Sequence, residues 1–204
     1  ATLREIKNRI QAVNNTQKIT KTMEMISAAK AKKATDKVHA AQPYARKINE
    51  LISSLGAFSK EVNHPLLRKP EKINRIGLLV LTANRGLCGG FNNNVIKLAI
   101  QQIKAYKNSG LEVEVHLVGK KSVNVFKYQK LTYEKSYTHI EDRPSFADAA
   151  EFANFFMEKF EAGHFDAIEI ISTKYYSSSK QGANVQRVLP LSLDQERSKG
   201  NNNS

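Results

Sequence analysis

The sequence predicts an α/β protein: one long N-terminal helix able to form a coiled coil, then a domain of helices laid on a mainly parallel sheet. Three observations carry that expectation. Residues 1–57 contain no glycine before Gly56 and keep a heptad register from Leu3 to Leu55. From Ile76 onward, apolar runs of strand length alternate with stretches of helical periodicity. Between the first such run and the first such helix lies a turn containing Gly86, Gly89 and Gly90. Alternation of this kind packs as a parallel sheet covered by helices.

In the long helix the first heptad core position reads Leu3, Ile10, Gln17, Glu24, Ala31, Val38, Ala45, Ile52. The second reads Ile6, Val13, Thr20, Ser27, Ala34, Ala41, Ile48, Leu55. Its ends are apolar and its middle is small or polar, but the phase persists, as a coiled-coil seam requires. Ala28, Ala29, Ala31, Ala34, Ala40 and Ala41 raise helix propensity where the seam is weakest. At about 1.5 Å per residue the rod would run roughly 85 Å. Pro43 removes a backbone donor, so a local bend is expected, with two helices meeting there as the alternative.

Asn63-His64-Pro65 and Lys69-Pro70 mark a linker. Ile76–Thr82 is a continuous apolar run, the pattern of a strand buried on both faces. After the glycine turn, Asn92 to Asn94 offer an N-cap for a helix carrying Val95, Leu98, Ala99, Ile100 and Ile103. Leu111–Val118 reads as a strand, Ser122–Gln129 as a short helix and Tyr133–Thr138 as a further strand. Pro144-Ser145 opens a helix through Phe146, Ala149, Phe152, Phe156 and Phe160, ending near Gly163. Asp166–Thr173 is another buried strand and Val185–Leu191 a shorter one. The expected organisation is a helix over 1–57, a linker over 58–72, a Rossmann-like α/β domain over 73–195 and a frayed polar tail over 196–204.

The chain has 204 residues and a net charge of +13, which points to an acidic partner surface. Residues 1–57 hold eleven basic and four acidic residues, more than half of that excess. One cysteine, Cys88, excludes an intramolecular disulfide or a paired-cysteine metal site. Apolar runs such as Leu78–Leu81 fall far short of the roughly 18 residues of a membrane span. The opening Ala1-Thr2-Leu3-Arg4 has neither signal-peptide nor transit-peptide character, so a soluble chain is expected, with nothing arguing for an oxidising compartment.

No catalytic, cofactor or metal site is expected. The glycine turn does not match the dinucleotide fingerprint, and no Lys-Ser or Lys-Thr follows it. Gly119-Lys120-Lys121-Ser122 has Glu114 where a phosphate loop needs its first glycine. The turn therefore reads as packing a helix on the sheet. His39, His64, His116, His139 and His164 are scattered without ligand spacing. Cys88 lacks a companion base, and Glu141-Asp142 and Asp148 read as a solvated loop and a helix first turn.

Two segments resemble the gamma subunit family of rotary F-type ATP synthases. The first is Leu3-Arg4-Glu5-Ile6-Lys7-Asn8-Arg9-Ile10 with Asn15-Thr16-Gln17-Lys18-Ile19-Thr20-Lys21, Met23, Met25 and Ala28-Ala29-Lys30. The second is Arg85-Gly86-Leu87-Cys88-Gly89-Gly90-Phe91-Asn92. Ala83-Asn84 departs from the family's usual Ser-Asp, Glu24 stands where a basic residue is common, and family members continue into a long C-terminal helix beyond the length seen here. The resemblance implies a rotor shaft with no catalytic residues and no cofactor of its own, turned by a membrane ring. It implies head contacts through Arg9, Lys18, Ile19, Met23 and Met25. It places Ala28–Tyr44, with Lys30, Lys32, Lys33 and Tyr44, in a foot toward the ring, and Gly86, Gly89 and Gly90 in a structural loop. Implied partners are the alpha and beta subunits, an epsilon or delta-type central-stalk subunit and the c-ring, with neither nucleic acid nor membrane insertion. The implied location is peripheral, on the inner face of an energy-transducing membrane, bacterial or organellar. The competing readings are a nucleic-acid-binding α/β protein using the basic helix, and a small α/β enzyme using the Gly86–Gly90 loop.

Overall fold

The computed structural model describes residues 1–58, 64–68, 70–140, 144–177 and 179–191. The expected tail over 196–204, Glu141-Asp142 and part of the linker lie outside the described residues. The chain divides near residue 60 into two units.

The first unit is α1, one α-helix over Leu3–Phe58. A capping box starts it: Glu5 N–H donates to Thr2 Oγ1 (3.4 Å) and Thr2 N–H to a Glu5 carboxylate oxygen (2.8 Å). Pro43 lies inside the helix, so the division into two helices is not adopted. Thr16, Thr20 and Thr22 donate their hydroxyls to carbonyls one turn earlier, which satisfies polar groups that would otherwise compete with the helix.

The second unit opens with a 3-10 turn over Pro65–Leu67. Its elements are β1 (Arg75–Leu81), α2 (Phe91–Asn108), β2 (Glu112–Val118), α3 (Lys120–Tyr128), β3 (Lys135–Tyr137), α4 (Phe146–Glu161), β4 (Ala167–Tyr175) and β5 (Gln181–Leu189). The sheet order is β3-β2-β1-β4-β5. β1 pairs in parallel with both β2 and β4, and β2 with β3, while β5 returns antiparallel to β4. Alternate residues of β1 feed two cores. Leu78 and Val80 join Val95, Ala99, Leu117 and Phe126, whereas Leu79 joins Tyr137, Phe156, Phe160 and Phe165.

Three local expectations are corrected. The short helix begins at Lys120, two residues early, because Gly119 with φ +91° supplies its N-cap. Its neighbouring strand shrinks to Lys135–Tyr137. The last strand spans Gln181–Leu189, earlier than expected, because it pairs back along the whole of β4.

Two partly buried polar networks hold the sheet. Glu169, almost fully buried in β4, accepts from Tyr106 Oη and from Arg187 Nε and Nη2 (3.1 and 2.8 Å). Burial, then donation to Glu169, pushes the Tyr106 phenol up to about 12. Glu114 lies between two imidazoles, 2.9 Å from His116 Nε2 and 3.0 Å from His164 Nε2. Burial alone would raise its carboxyl, but the hydrogen bonds from His164 and His116 outweigh that and hold it below the usual value. Removing Arg187 would leave the Glu169 carboxylate buried without its cation.

Candidate interaction surface on the long helix

A helix becomes an interaction surface when its apolar face has no cover. Leu3, Ile6, Ile10 and Val13 recur at three- and four-residue steps, so they form one stripe. All four are exposed, Leu3 at 79% and Val13 at 67%. In the next stretch the heptad core positions are Gln17, Thr20, Glu24 and Ser27. Three of the four apolar residues there, Ile19, Met23 and Ile26, recur at i, i+4 and i+7. At about 100° per residue they fall roughly opposite the first stripe. Those three side chains are exposed as well. The helix thus changes apolar face near its first third, a feature that the heptad reading missed. It is legible in the heptad itself, where the apolar positions move from a and d to c and g.

The residues for which the resemblance implies head or foot contacts all lie on this helix and are exposed: Arg9, Lys18, Ile19, Met23, Met25, Lys30, Lys32, Lys33 and Tyr44. Ile19 and Met23 share one face. Lys21 and Glu24 pair at 3.2 Å, as do Lys47 and Glu50 at 2.8 Å, across one helical turn. Such exposed pairs contribute little to stability. Val38 and Ile48 are also exposed; the side chains of Ile52 and Leu55 lie outside the described set.

The glycine loop is a second feature, and two asparagines tie it to the fold. Asn92 was expected to help cap α2. The N-cap is instead Gly90, without a side-chain bond, and Asn92 is buried in the first turn pointing backward. Its Oδ1 accepts from Ala83 N–H (2.8 Å), and its Nδ2 donates to Arg85 O and to Cys88 Sγ (both 3.1 Å). Asn84 Nδ2 donates to Thr138 O (3.1 Å) and Ile140 O (2.7 Å), while its Oδ1 accepts from Lys120 N–H (2.9 Å). An aspartate there could accept that N–H but could donate to neither carbonyl. Of the loop glycines, Gly89 takes a positive φ (+56°), and so does Leu87 (+59°), whose side chain is 95% exposed. A Cβ on Gly90 would come 2.8 Å from the Asn94 amide.

A cleft of about 380 Å³ lies at the other end of the strands from the glycine loop, lined by Arg75, Glu112, Glu114, Tyr133, Glu134 and His164 among others. Among the described residues no group of three or more His, Cys, Asp or Glu is arranged to hold a metal ion. No helix among them is long and apolar enough to cross a membrane.

Comparison with known proteins agrees with this geometry. The ATP synthase family profile matches residues 2–204. The ATP synthase gamma chain of Leptospira biflexa is 50% identical over 200 residues, covering 98% of this chain and 69% of that one. The gamma chain of Gemmatimonas aurantiaca is 42% identical over 197 residues, covering 97% and 68%. In fold, the chain is similar to a cryo-EM structure of the Tetrahymena thermophila mitochondrial ATP synthase central stalk and c-ring. The TM-score is 0.59 at 20% identity, covering 84% of this chain and 72% of that one. The long helix, the α/β domain and the two signature segments thus have one common explanation: the chain belongs to the ATP synthase gamma chain family.

Proposed function

We propose that this chain is the central rotor shaft of a proton- or ion-translocating F-type ATP synthase. The observation that carries the reading is the helix Leu3–Phe58, which exposes apolar stripes on two faces together with a strongly basic surface. A helix of that kind is a surface for other chains. As a shaft it couples ring rotation to ATP synthesis or hydrolysis, because its unequal faces present a different surface to each catalytic site as it turns. It is a subunit of an enzyme complex and carries no catalytic residue of its own. Its partners on this reading are the alpha and beta subunits, an epsilon or delta-type stalk subunit and the c-ring. Arg9, Lys18, Ile19, Met23 and Met25 face the head; Lys30, Lys32, Lys33 and Tyr44 face the ring. The chain sits peripherally on the inner face of an energy-transducing membrane.

Reconstitution tests the reading. The chain is expected to co-elute with an alpha–beta hexamer, to show no ATP turnover alone and to retain no oligonucleotide at moderate salt. Turnover in a preparation free of other subunits, or failure to join the hexamer, would count against it.

The foot has its own test. Replacing Lys30, Lys32 and Lys33 together with Glu should weaken assembly on the ring side by about tenfold or more at low salt, and by less at high salt. These side chains are exposed, so folding stability should change by no more than about 0.5 kcal/mol per site. Assembly and coupling equal to wild type across a salt series would remove these lysines from the interface.

A further inference from the structure

The first half of β2 has no strand on its outer side. β3 pairs only with residues 116–118, so residues 112–115 form an open edge of the sheet. Glu112 N–H donates to Asn74 O (2.8 Å), which turns the backbone groups of Glu112 toward β1 and those of Val113 away from it. Val115 is turned the same way as Val113, and its carbonyl accepts from Glu134 N–H (2.8 Å). Val113 N–H and C=O have no partner among the described residues. Val113 lines the cleft of about 380 Å³ described above. That cleft is out of keeping with the charge of the chain. Glu112, Glu114 and Glu134 line it against Arg75 and His164, in a chain of net charge +13. Arg75 pairs with Glu112, and His116 and His164 bracket Glu114. Glu134 is exposed and has no ion pair among the described residues.

We propose that this edge is a strand-addition site for an extended segment of a partner polypeptide that carries lysine or arginine. The site lies within the α/β domain and does not depend on the shaft reading. An added strand bonds Val113 N–H and C=O through its main chain and sets its cations beside the three carboxylates. Open edges pair indiscriminately unless charged side chains guard them. Here the guard is acidic, so it admits a basic strand and repels an acidic one. A second copy of the same edge is a poor occupant, because it would set carboxylates against carboxylates.

The test uses the full chain and two end-blocked peptides, Lys-Val-Lys-Val-Lys and Glu-Val-Glu-Val-Glu. The lysine peptide is expected to bind at low salt and to slow exchange of the Val113 amide by about tenfold at saturation. Val113→Pro removes an outward donor at an edge, where proline is tolerated, and should weaken binding by up to about tenfold. Glu134→Lys should weaken it several-fold at low salt and less at high salt. Peptides N-methylated on alternate amides keep the test independent of how the variants fold. Methylation of the amides that face β2 should abolish binding, and methylation of the other set should leave it intact. No binding at low salt overturns the site. Equal binding of the two methylated peptides, or a Val113 amide left unprotected by bound peptide, reduces the effect to charge attraction and overturns it too. Equal protection of Val113 by the glutamate peptide overturns the basic partner. A Val113 amide already protected in a free chain that sediments as a dimer gives the edge to a second copy and overturns the proposal.

Discussion

Amide hydrogen exchange across Leu3–Ile26 is expected to slow by about a hundredfold or more when the chain joins the catalytic hexamer. These residues are helical, and their apolar side chains are exposed, Leu3 at 79%, Val13 at 67% and Ile19 at 61%. A helix stabilised only by its own hydrogen bonds and a few exposed pairs opens readily from its end, because most helix stability in proteins comes from packing an apolar face. Thr2 and Glu5 close the first turn, but one capping box is worth only about 1 kcal/mol. A partner that buries Leu3, Ile6, Ile10 and Val13 on one side and Ile19, Met23 and Ile26 on the other would stabilise the helix far more. Burying an aliphatic side chain yields roughly 1.5–3 kcal/mol. Exchange with mass-spectrometric detection, on the free chain and on the reconstituted complex, checks this. Full protection of these amides in a demonstrably monomeric free chain would mean that the helix is packed without a partner, and the shaft geometry would fall.

Gly119→Ala is expected to destabilise the α/β domain by about 3 kcal/mol or more, a large fraction of the stability of an ordinary domain. Gly119 takes φ +91° and ψ 143° at the N-cap of α3, a conformation that an L side chain rarely adopts. A Cβ there would also collide with the Thr82 backbone, 2.6 Å from its carbonyl carbon and closer still to its oxygen. Thr82 cannot give way cheaply. Its N–H and its hydroxyl both donate to Val118 O (2.9 and 2.7 Å), and its Oγ1 accepts from Ser122 N–H (3.1 Å). Gly110→Ala is the matched control: φ is also positive, +76°, but nothing lies within 4 Å of the added carbon. That variant should lose only about 1 kcal/mol. Urea unfolding of both variants measures the contrast, and equal losses would show that the Thr82 contact carries no weight.

Much of the surface proposed for function was visible before any coordinates. The long helix needs only a glycine-free stretch with high propensity, and propensity is local. The exposure of Ile19 and Met23 was not visible in that way. An apolar residue on a helix reads as buried or as waiting for a partner, and only coordinates separate the two. The keystone roles of Asn84 and Asn92 were also hidden, since each depends on backbone groups that the fold brings together. Asn84 reaches Ile140, 56 residues away. Their signal in sequence was slight: two asparagines bracketing a glycine turn, of which only Asn92 was assigned a role, as a cap.

By itself the sequence determined the order of elements, the parallel core of the sheet and the placement of the glycine turn. These follow from periods of 2 and 3.6 residues and from the length of each apolar run, all properties of neighbouring residues. Tertiary structure alone decided the rest. It set β5 antiparallel against β4, because Gln181–Leu189 lies along an edge that β4 leaves unpaired. It allowed Glu169 within a buried strand, because Tyr106 and Arg187 arrive from α2 and β5 to satisfy the carboxylate. It brought Arg68 to the end of α4, where carbonyls 92 and 97 residues away both accept from its Nη2. In each case the deciding group is distant in sequence, and a charge or an open strand edge is tolerable only once that group is present.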